Sequence, residues 1–396
     1  MSSLEIISFV SLVFWLVLSL DRGRSWPRKA VLPKGNPDLV APERSSIAVI
    51  VPARNESELL PQTLGALLDQ DVEGMEVFLV DDGSTDGSAD VARRLARDRE
   101  SAVKFHIVEA AARPGGWSGK VHALNCGYEA VIEEGTRQDT EPPEWLLLTD
   151  ADIRHRPGSV AALLRKATLP EGGGPYSLVS IMARLRAVGF WERLVVPAFV
   201  FFFQLLYPFR RVADRNSRVA AAAGGCVLVR RSALEAAGGF NAISGAIIDD
   251  VALGRAIKEA GESTWLGFDP GISSLRPYPR LADLWLMVSR TAFTQLGYRW
   301  DLLVLTLLTL AVVVASPPLV LGLGGLEMML GDATPRATLH TAPHSLHPDA
   351  ICGGDALRQS LSIGRGWERG DRAAHRGTGP WRRRDELGGG RRGAIV

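Results

Sequence analysis

From residue 47 to residue 149, short apolar runs alternate with segments whose apolar positions recur every three or four residues. Ile47–Val51 is a β-branched run ended by Pro52, and Glu58–Leu68 follows with helical spacing. Val77–Val80 predicts a second strand, closed by Asp81-Asp82-Gly83-Ser84, and Ser88–Arg99 a helix. Val103–Val108 predicts a strand, Gly115–Gly119 a loop and Val121–Glu133 a helix. Trp145–Thr149 predicts a strand that runs into Asp150-Ala-Asp152. Strands alternating with helices at this spacing imply an α/β fold with a mostly parallel, doubly wound sheet.

Three further apolar runs have a different character. Leu4–Leu20 is long enough to cross a bilayer. The basic residues Arg22, Arg24, Arg28 and Lys29 follow it rather than precede it, and no small-residue cleavage site appears. That pattern predicts an uncleaved anchor over 1–22 with the following residues on the cytoplasmic side. Phe190–Phe209 has Pro197 and Pro208 near its ends and Gln204 inside, which suits a helix lying at a bilayer surface. Leu302–Leu323 carries no charge and predicts a second membrane segment over 301–325 despite Pro317-Pro318. Residues 331–396 lose all periodicity and are rich in Gly, Arg, Pro and His. They read as a disordered basic tail, or as out-of-frame translation of a GC-rich gene.

Composition adds little to this division. The 396 residues supply ample core, and 46% hydrophobic content fits membrane contact. A formal net charge of +1 gives no overall drive toward nucleic acid. Cys126, Cys226 and Cys352 are far apart, without metal-ligand spacing and odd in number, so neither a disulfide framework nor a zinc site is expected. The main domain then belongs in a reducing compartment.

The chemistry concentrates where the parallel strands end, because ligands of open α/β sheets bind beyond the carboxyl ends of the strands. Asn55 and Glu56 follow the first strand, where helix caps are also common. Asp81 and Asp82 are two adjacent acids that one turn cannot both satisfy, and one of Ser84 and Asp86 suits a cap. An acid here can accept from a base N–H or a ribose hydroxyl. Lys120 follows glycines at a helix start, where it can neutralise phosphate, but the spacing is not that of a Walker loop. Asp150 and Asp152 bring two carboxylates near one point, and Mg2+ or Mn2+ shared with a diphosphate would relieve their repulsion. Asp249-Asp250 opens a helix after Gly224-Gly225, and one of these acids can deprotonate a hydroxyl.

In order and spacing, VIVPARNE, VDDGSTDGS, GKVHALNCG, LLLTDAD, GGCVLVRR and IIDDVALGRAIKEAG resemble the family 2 glycosyltransferases, over roughly residues 45–300. With apolar segments at both ends, the pattern looks like the members associated with hopanoid gene clusters. The resemblance implies a GT-A fold and a nucleotide-sugar donor. It also implies a metal-dependent inverting transfer to a membrane lipid at the bacterial inner membrane, with the catalytic domain cytoplasmic. It assigns Asp82, and Asp81 beside it, to the nucleotide base. Lys120 and Asp150 fall to the nucleotide and its phosphates, Asp150 and Asp152 to the metal, and Asp250 to the general base. Glu56 receives no role. Processive members carry Gln-x-x-Arg-Trp before a membrane helix, whereas here Gln295-Leu-Gly-Tyr-Arg299-Trp300 is one residue longer, with Arg290 and Thr291 upstream. That departure favours transfer of a single sugar over polymer synthesis. A nucleotidyltransferase and a non-catalytic membrane scaffold are the competing readings. The former lacks a Gly-rich pyrophosphate loop here, and the latter is at odds with a full set of acids.

Overall fold

The computed structural model describes residues 3–25, 31–32, 46–99, 103–169, 175–296 and 298–317. The expected tail at 331–396 lies outside them. The strands are β1 (Ile47–Ala53), β2 (Glu76–Asp81), β3 (Lys104–Glu109), β4 (Trp145–Thr149), β5 (Ile153–Arg154), β6 (Leu178–Arg184), β7 (Cys226–Arg230) and β8 (Thr264–Ser274). The first helices are α1 (Ser3–Ser25), α2 (Leu60–Leu68), α3 (Ser88–Asp98), α4 (Gly119–Arg137), α5 (Ser159–Thr168) and α6 (Phe190–Leu206). Then follow α7 (Phe209–Ala213), α8 (Arg231–Ala236), α9 (Asp249–Glu259), α10 (Leu281–Gln295) and α11 (Trp300–Leu310).

The strands form one sheet in the order β3-β2-β1-β4-β7-β6-β8-β5. The first four are parallel, in the registers Ala53↔Asp81, Ile50↔Leu148 and Val80↔Val108. Pro52 extends β1 beyond its expected end without harm. The ladder to β4 covers only Ile47 to Ile50, so the donor that Pro52 lacks is not needed on that side. Alternation along each strand divides the core into two. Val49, Val77 and Leu147 pack with α2 and α5, while Ile50, Val80 and Leu148 pack with α4, α8 and α9. The result is helices on both faces of a nearly continuous apolar sheet, as parallel strands require.

The mostly parallel sheet carries two antiparallel strands, β5 against β8 at the edge and β7 within, and the second shapes the site. β7 runs antiparallel to both β4 and β6, with Thr149↔Cys226 and Val179↔Leu228. An antiparallel strand delivers its beginning, not its end, to the edge where β1, β2 and β4 finish. Gly224 and Gly225 therefore arrive beside Asp150, where Asp150 N–H and Thr149 Oγ1 donate to the Gly225 carbonyl at 3.3 and 2.9 Å.

Among the described residues no helix is long and apolar enough to cross a membrane. The spans expected at 1–22 and 301–325 are thus not observed as spans. The second passes from α11 into a π-helical turn at Ala311–Ala315 and runs beyond the described residues. The two segments meet each other instead. Ser11 Oγ and Trp15 Nε1 both donate to the Val313 carbonyl, at 3.0 and 2.9 Å.

The helix expected at 190–209 forms as α6, with a polarity inverted relative to a water-soluble helix. Its buried positions are Glu192 and Val196, whereas Phe190 is 71% and Leu206 58% exposed. Glu192 is stabilised inside by the backbone N–H groups of Val188, Gly189 and Tyr278, each at 2.8 Å, and by Arg186. Burial raises the Glu192 pKa, but these donors outweigh it and leave the carboxyl below its ordinary value.

Candidate active site

The loops at the carboxyl edge interlock before they bind anything. Asn55 adopts a left-handed backbone (φ 58°), donates its N–H to Ser84 Oγ at 3.0 Å and accepts Thr85 N–H on Oδ1 at 2.8 Å. Asp86 accepts Ser57 N–H at 2.9 Å and both the N–H and the hydroxyl of Ser88, at 3.0 and 2.6 Å. These donors, the Ser88 hydroxyl first, hold its carboxyl far below the usual range. Asp81 Oδ1 accepts Ser84 N–H at 2.9 Å and closes its own turn. Asp82 lines the cleft at this edge, and Asp81 is not among the lining residues. The structure therefore separates the two adjacent acids: Asp81 builds the loop, and Asp82 is presented beside Arg54 at 3.5 Å.

The cleft has a volume of about 1660 Å³ and gathers Asp82, Lys120, Asp150, Asp152, Asp249 and Asp250. Lys120 enters from the first turn of α4, whose cap Ser118 accepts Val121 N–H at 3.4 Å. Its ammonium lies 2.7 Å from Asp150 Oδ1 and 3.3 Å from Asp249 Oδ2. Burial pulls the Lys120 pKa down, but the charges of Asp150, Asp249 and Asp250 pull it up further, so it stays protonated. Asp150 is raised chiefly by burial, against the pull of Lys120. Asp250 accepts Gly224 N–H on Oδ2 at 2.7 Å and Val251 N–H on Oδ1 at 2.8 Å. Burial first, and Asp249 beside it, push its pKa up to about 6 despite Lys120 and the two N–H donors. A carboxylate poised there is a competent base near neutral pH. Gly224 is required by this geometry, since a Cβ there would lie 3.0 Å from Lys120 Nζ and 3.3 Å from Asp250 Oδ2.

Sequence reasoning left Glu56 unassigned and missed Ser274 and Arg276. The end of β8 brings both against the Asp-Ala-Asp turn. Ser274 Oγ donates to Asp152 Oδ2 at 2.6 Å, and Arg276 Nε approaches the same oxygen at 3.6 Å. Arg276 Nη2 also pairs with Glu56 Oε1. Burial is the main influence on Glu56 and raises its pKa. The signal available was a polar Ser273-Ser274-Leu-Arg276 stretch at a strand end, 220 residues from Glu56 and silent about its partner. Gln295, Arg299 and Trp300 separate as well: Gln295 bonds the Tyr207 hydroxyl, Arg299 pairs with Asp301, and Trp300 lines the cleft. The side chains of Arg290 and Thr291 lie outside the described residues.

The donor set at Asp150 and Asp152 suits a hard divalent cation: two carboxylates on one turn, both lining the cleft, with room for diphosphate oxygens and water. Glu76, His106 and Glu134 also approach one another, at the opposite flank. There Glu76 is paired with Lys104 and His106, and Glu134 with Arg137, so a surface ion-pair network accounts for them.

Beyond the acids, the cleft wall turns apolar. Phe199 and Phe203 of α6, Trp285 and Leu286 of α10, and Leu303 and Leu307 of α11 continue it toward the exposed faces of those helices.

Comparison with known proteins agrees with this arrangement. Residues 48–238 match the family model described as glycosyl transferase family 2. A 4,4'-diaponeurosporenoate glycosyltransferase of Staphylococcus aureus is 31% identical over 134 residues, 34% of this chain and 31% of its own length. An undecaprenyl-phosphate mannosyltransferase of Micrococcus luteus is 34% identical over 104 residues, covering 25% and 42%. The chain thus spans less than half the length of either relative. Among solved structures, a mannosyltransferase from Pyrobaculum calidifontis in complex with GDP-Man and Mn2+ superposes with a TM-score of 0.51 at 20% identity, covering 82% of this chain and 92% of that one, which shows the shared fold. Family match, sheet order and acidic edge converge on one region, and residues 48–238 are similar to the glycosyl transferase family 2 domain.

Proposed function

We propose that this protein transfers one sugar from a nucleotide-sugar to a hydroxyl of a membrane lipid, with inversion at the anomeric carbon and with a divalent metal. The observation that carries the reading is one cleft holding a base poised near neutrality at one end and an apolar wall at the other. Asp82, beside Arg54, would receive the nucleoside. Lys120 would turn from Asp150 and Asp249 toward the diphosphate, so a positive charge meets the negative charge that grows on the leaving group. Asp150 and Asp152 would hold Mg2+ or Mn2+, which supplies Lewis-acid neutralisation of that diphosphate. Ser274 and Arg276 would hold Asp152 in place. Asp250 would take the proton from the acceptor hydroxyl as its oxygen attacks the face opposite the leaving group.

The inverted polarity of α6 and the exposed Trp285, Trp300 and Leu307 support a bilayer as the surface against which the cleft opens. That placement fits the bacterial inner membrane with the acids on the cytoplasmic side. A relative named for undecaprenyl phosphate and the resemblance to hopanoid-associated members suggest two acceptors to compare. A base matters for an alcohol and not for an already ionised phosphate, so the raised Asp250 favours the hydroxyl-bearing, hopanoid-type lipid. The test is incubation of membranes holding the full chain with a panel of nucleotide-sugars and both lipid classes, the product being identified by mass. Chelation with EDTA should stop transfer and Mn2+ restore it. Turnover undiminished in EDTA would remove the metal from the proposal, and release of pyrophosphate instead of nucleoside diphosphate would favour a nucleotidyltransferase.

A further inference from the structure

Strand β8 carries a bulge whose effect lies outside the transfer cleft. Its pairing with β6 runs in step from Leu178↔Thr264 to Ala183↔Asp269 and then jumps, so that Arg184 faces Ser273. The jump is stapled from within. Asp269, only 3% exposed, takes Arg156 Nε on both carboxylate oxygens at 3.0 Å and Gly271 N–H at 2.8 Å. On the other side of β8 the antiparallel pairing places Arg154 opposite the same Ser273. Directly paired residues share a face, and neighbouring strands are about 4.8 Å apart. Two guanidinium stems therefore flank one hydroxyl across a width of about 10 Å, and re-aiming side chains is a common use of a bulge.

Both arginines line a second cleft of about 1240 Å³, which shares Glu56, Leu185, Ser274 and Arg276 with the first. Among the described residues neither the Arg154 nor the Arg184 guanidinium has a hydrogen-bond or ion-pair partner. The acids of this cleft are otherwise engaged or solvated: Glu56 by Arg276, Asp86 by Ser57 and Ser88, and Glu58 in water. Val188 also lines the cleft and leads directly into the exposed Phe190 of α6, so its mouth adjoins the apolar surface. Two guanidinium groups that line one cleft from the same strand row repel when no anion pairs with them, and phosphate matches their fork of donors.

We propose that the Arg154–Ser273–Arg184 row is a binding site for a phosphate ester, filled by an anionic lipid headgroup when α6 rests on the bilayer. The site goes beyond sugar transfer and needs neither donor nor acceptor, so its failure would leave the transfer reading untouched. The full chain in neutral detergent is titrated with dihexanoyl phosphatidylglycerol and, separately, with inorganic phosphate, and binding is read from the shift in melting temperature. R154Q/R184Q is compared with R94Q/R97Q, an equal loss of charge on the exposed face of α3. The parent and R94Q/R97Q should bind phosphatidylglycerol alike, and R154Q/R184Q about a hundredfold more weakly. S273A, which leaves the charges in place, should weaken binding about fivefold. Stabilisation by inorganic phosphate alone, lost in the same double variant, would support the phosphate site with a soluble ester as its source. Absence of binding by either probe, or equal loss in both double variants, would overturn the proposal.

Discussion

Asp250 shows how one residue's environment sets a pH profile. Only its carboxylate can accept a proton, and burial beside Asp249 lifts its pKa from 3.8 to about 6. Transfer should therefore fall about tenfold per pH unit below that value and level off above it, as read from kcat/KM between pH 4.5 and about 8. Stability should run the opposite way. The folded state raises this pKa, so ionising Asp250 weakens the fold as pH climbs from the unfolded value of 3.8 to about 6. Asp250→Asn should accordingly lose roughly 10²- to 10⁴-fold in turnover yet melt no lower than the parent at neutral pH. Binding of the nucleotide-sugar should survive in that variant; full activity would remove Asp250 as the base. Gly224→Ala tests the same contact from the other side. Its methyl group would press on Lys120 Nζ and Asp250 Oδ2, so activity should drop by more than tenfold while the fold persists.

At the scale of elements, the sequence announced what is local and concealed what is long-range. The strands at 47, 77 and 145 and the helices between them were legible because apolar period and turn residues are encoded within a few positions. The acids at their ends were legible for the same reason. The direction of β7 was not, since GGCVLVRR reads the same in either orientation, and only pairing with β4 and β6 reveals that its glycines face Asp250. Ser274 and Arg276 were hidden similarly, by a partner 122 residues away in one case and 220 in the other. Helix α9 depends on such a contact. A Cβ at Gly254 would lie 2.8 Å from the backbone of Ala221, so Gly254→Ala must lift the helix that carries Asp249 and Asp250. That variant should lose about 1–3 kcal/mol in denaturant unfolding, and transfer with it. An unchanged midpoint would mean that α9 is not seated by this glycine.

At the scale of the whole molecule, α6, α10 and α11 turn apolar side chains outward around the mouth of the acidic cleft. Leu307→Asp together with Phe202→Asp should shift the full chain from the membrane fraction toward the soluble one and raise KM for a lipid acceptor far more than KM for the donor. Equal effects on both constants would place the acceptor elsewhere. The bonds from Ser11 and Trp15 to the Val313 carbonyl carry one more consequence, and it concerns time. The two ends of the contact are separated by 302 residues, and a ribosome adding 5 to 20 residues per second needs about 15 to 60 s to cover that distance. Throughout that interval α1 exists and its acceptor does not. Phe201 of α6, which stacks on Trp15 at 6.5 Å, is synthesised well before Val313 and offers α1 an earlier partner, so Val313 completes a contact that α6 can begin.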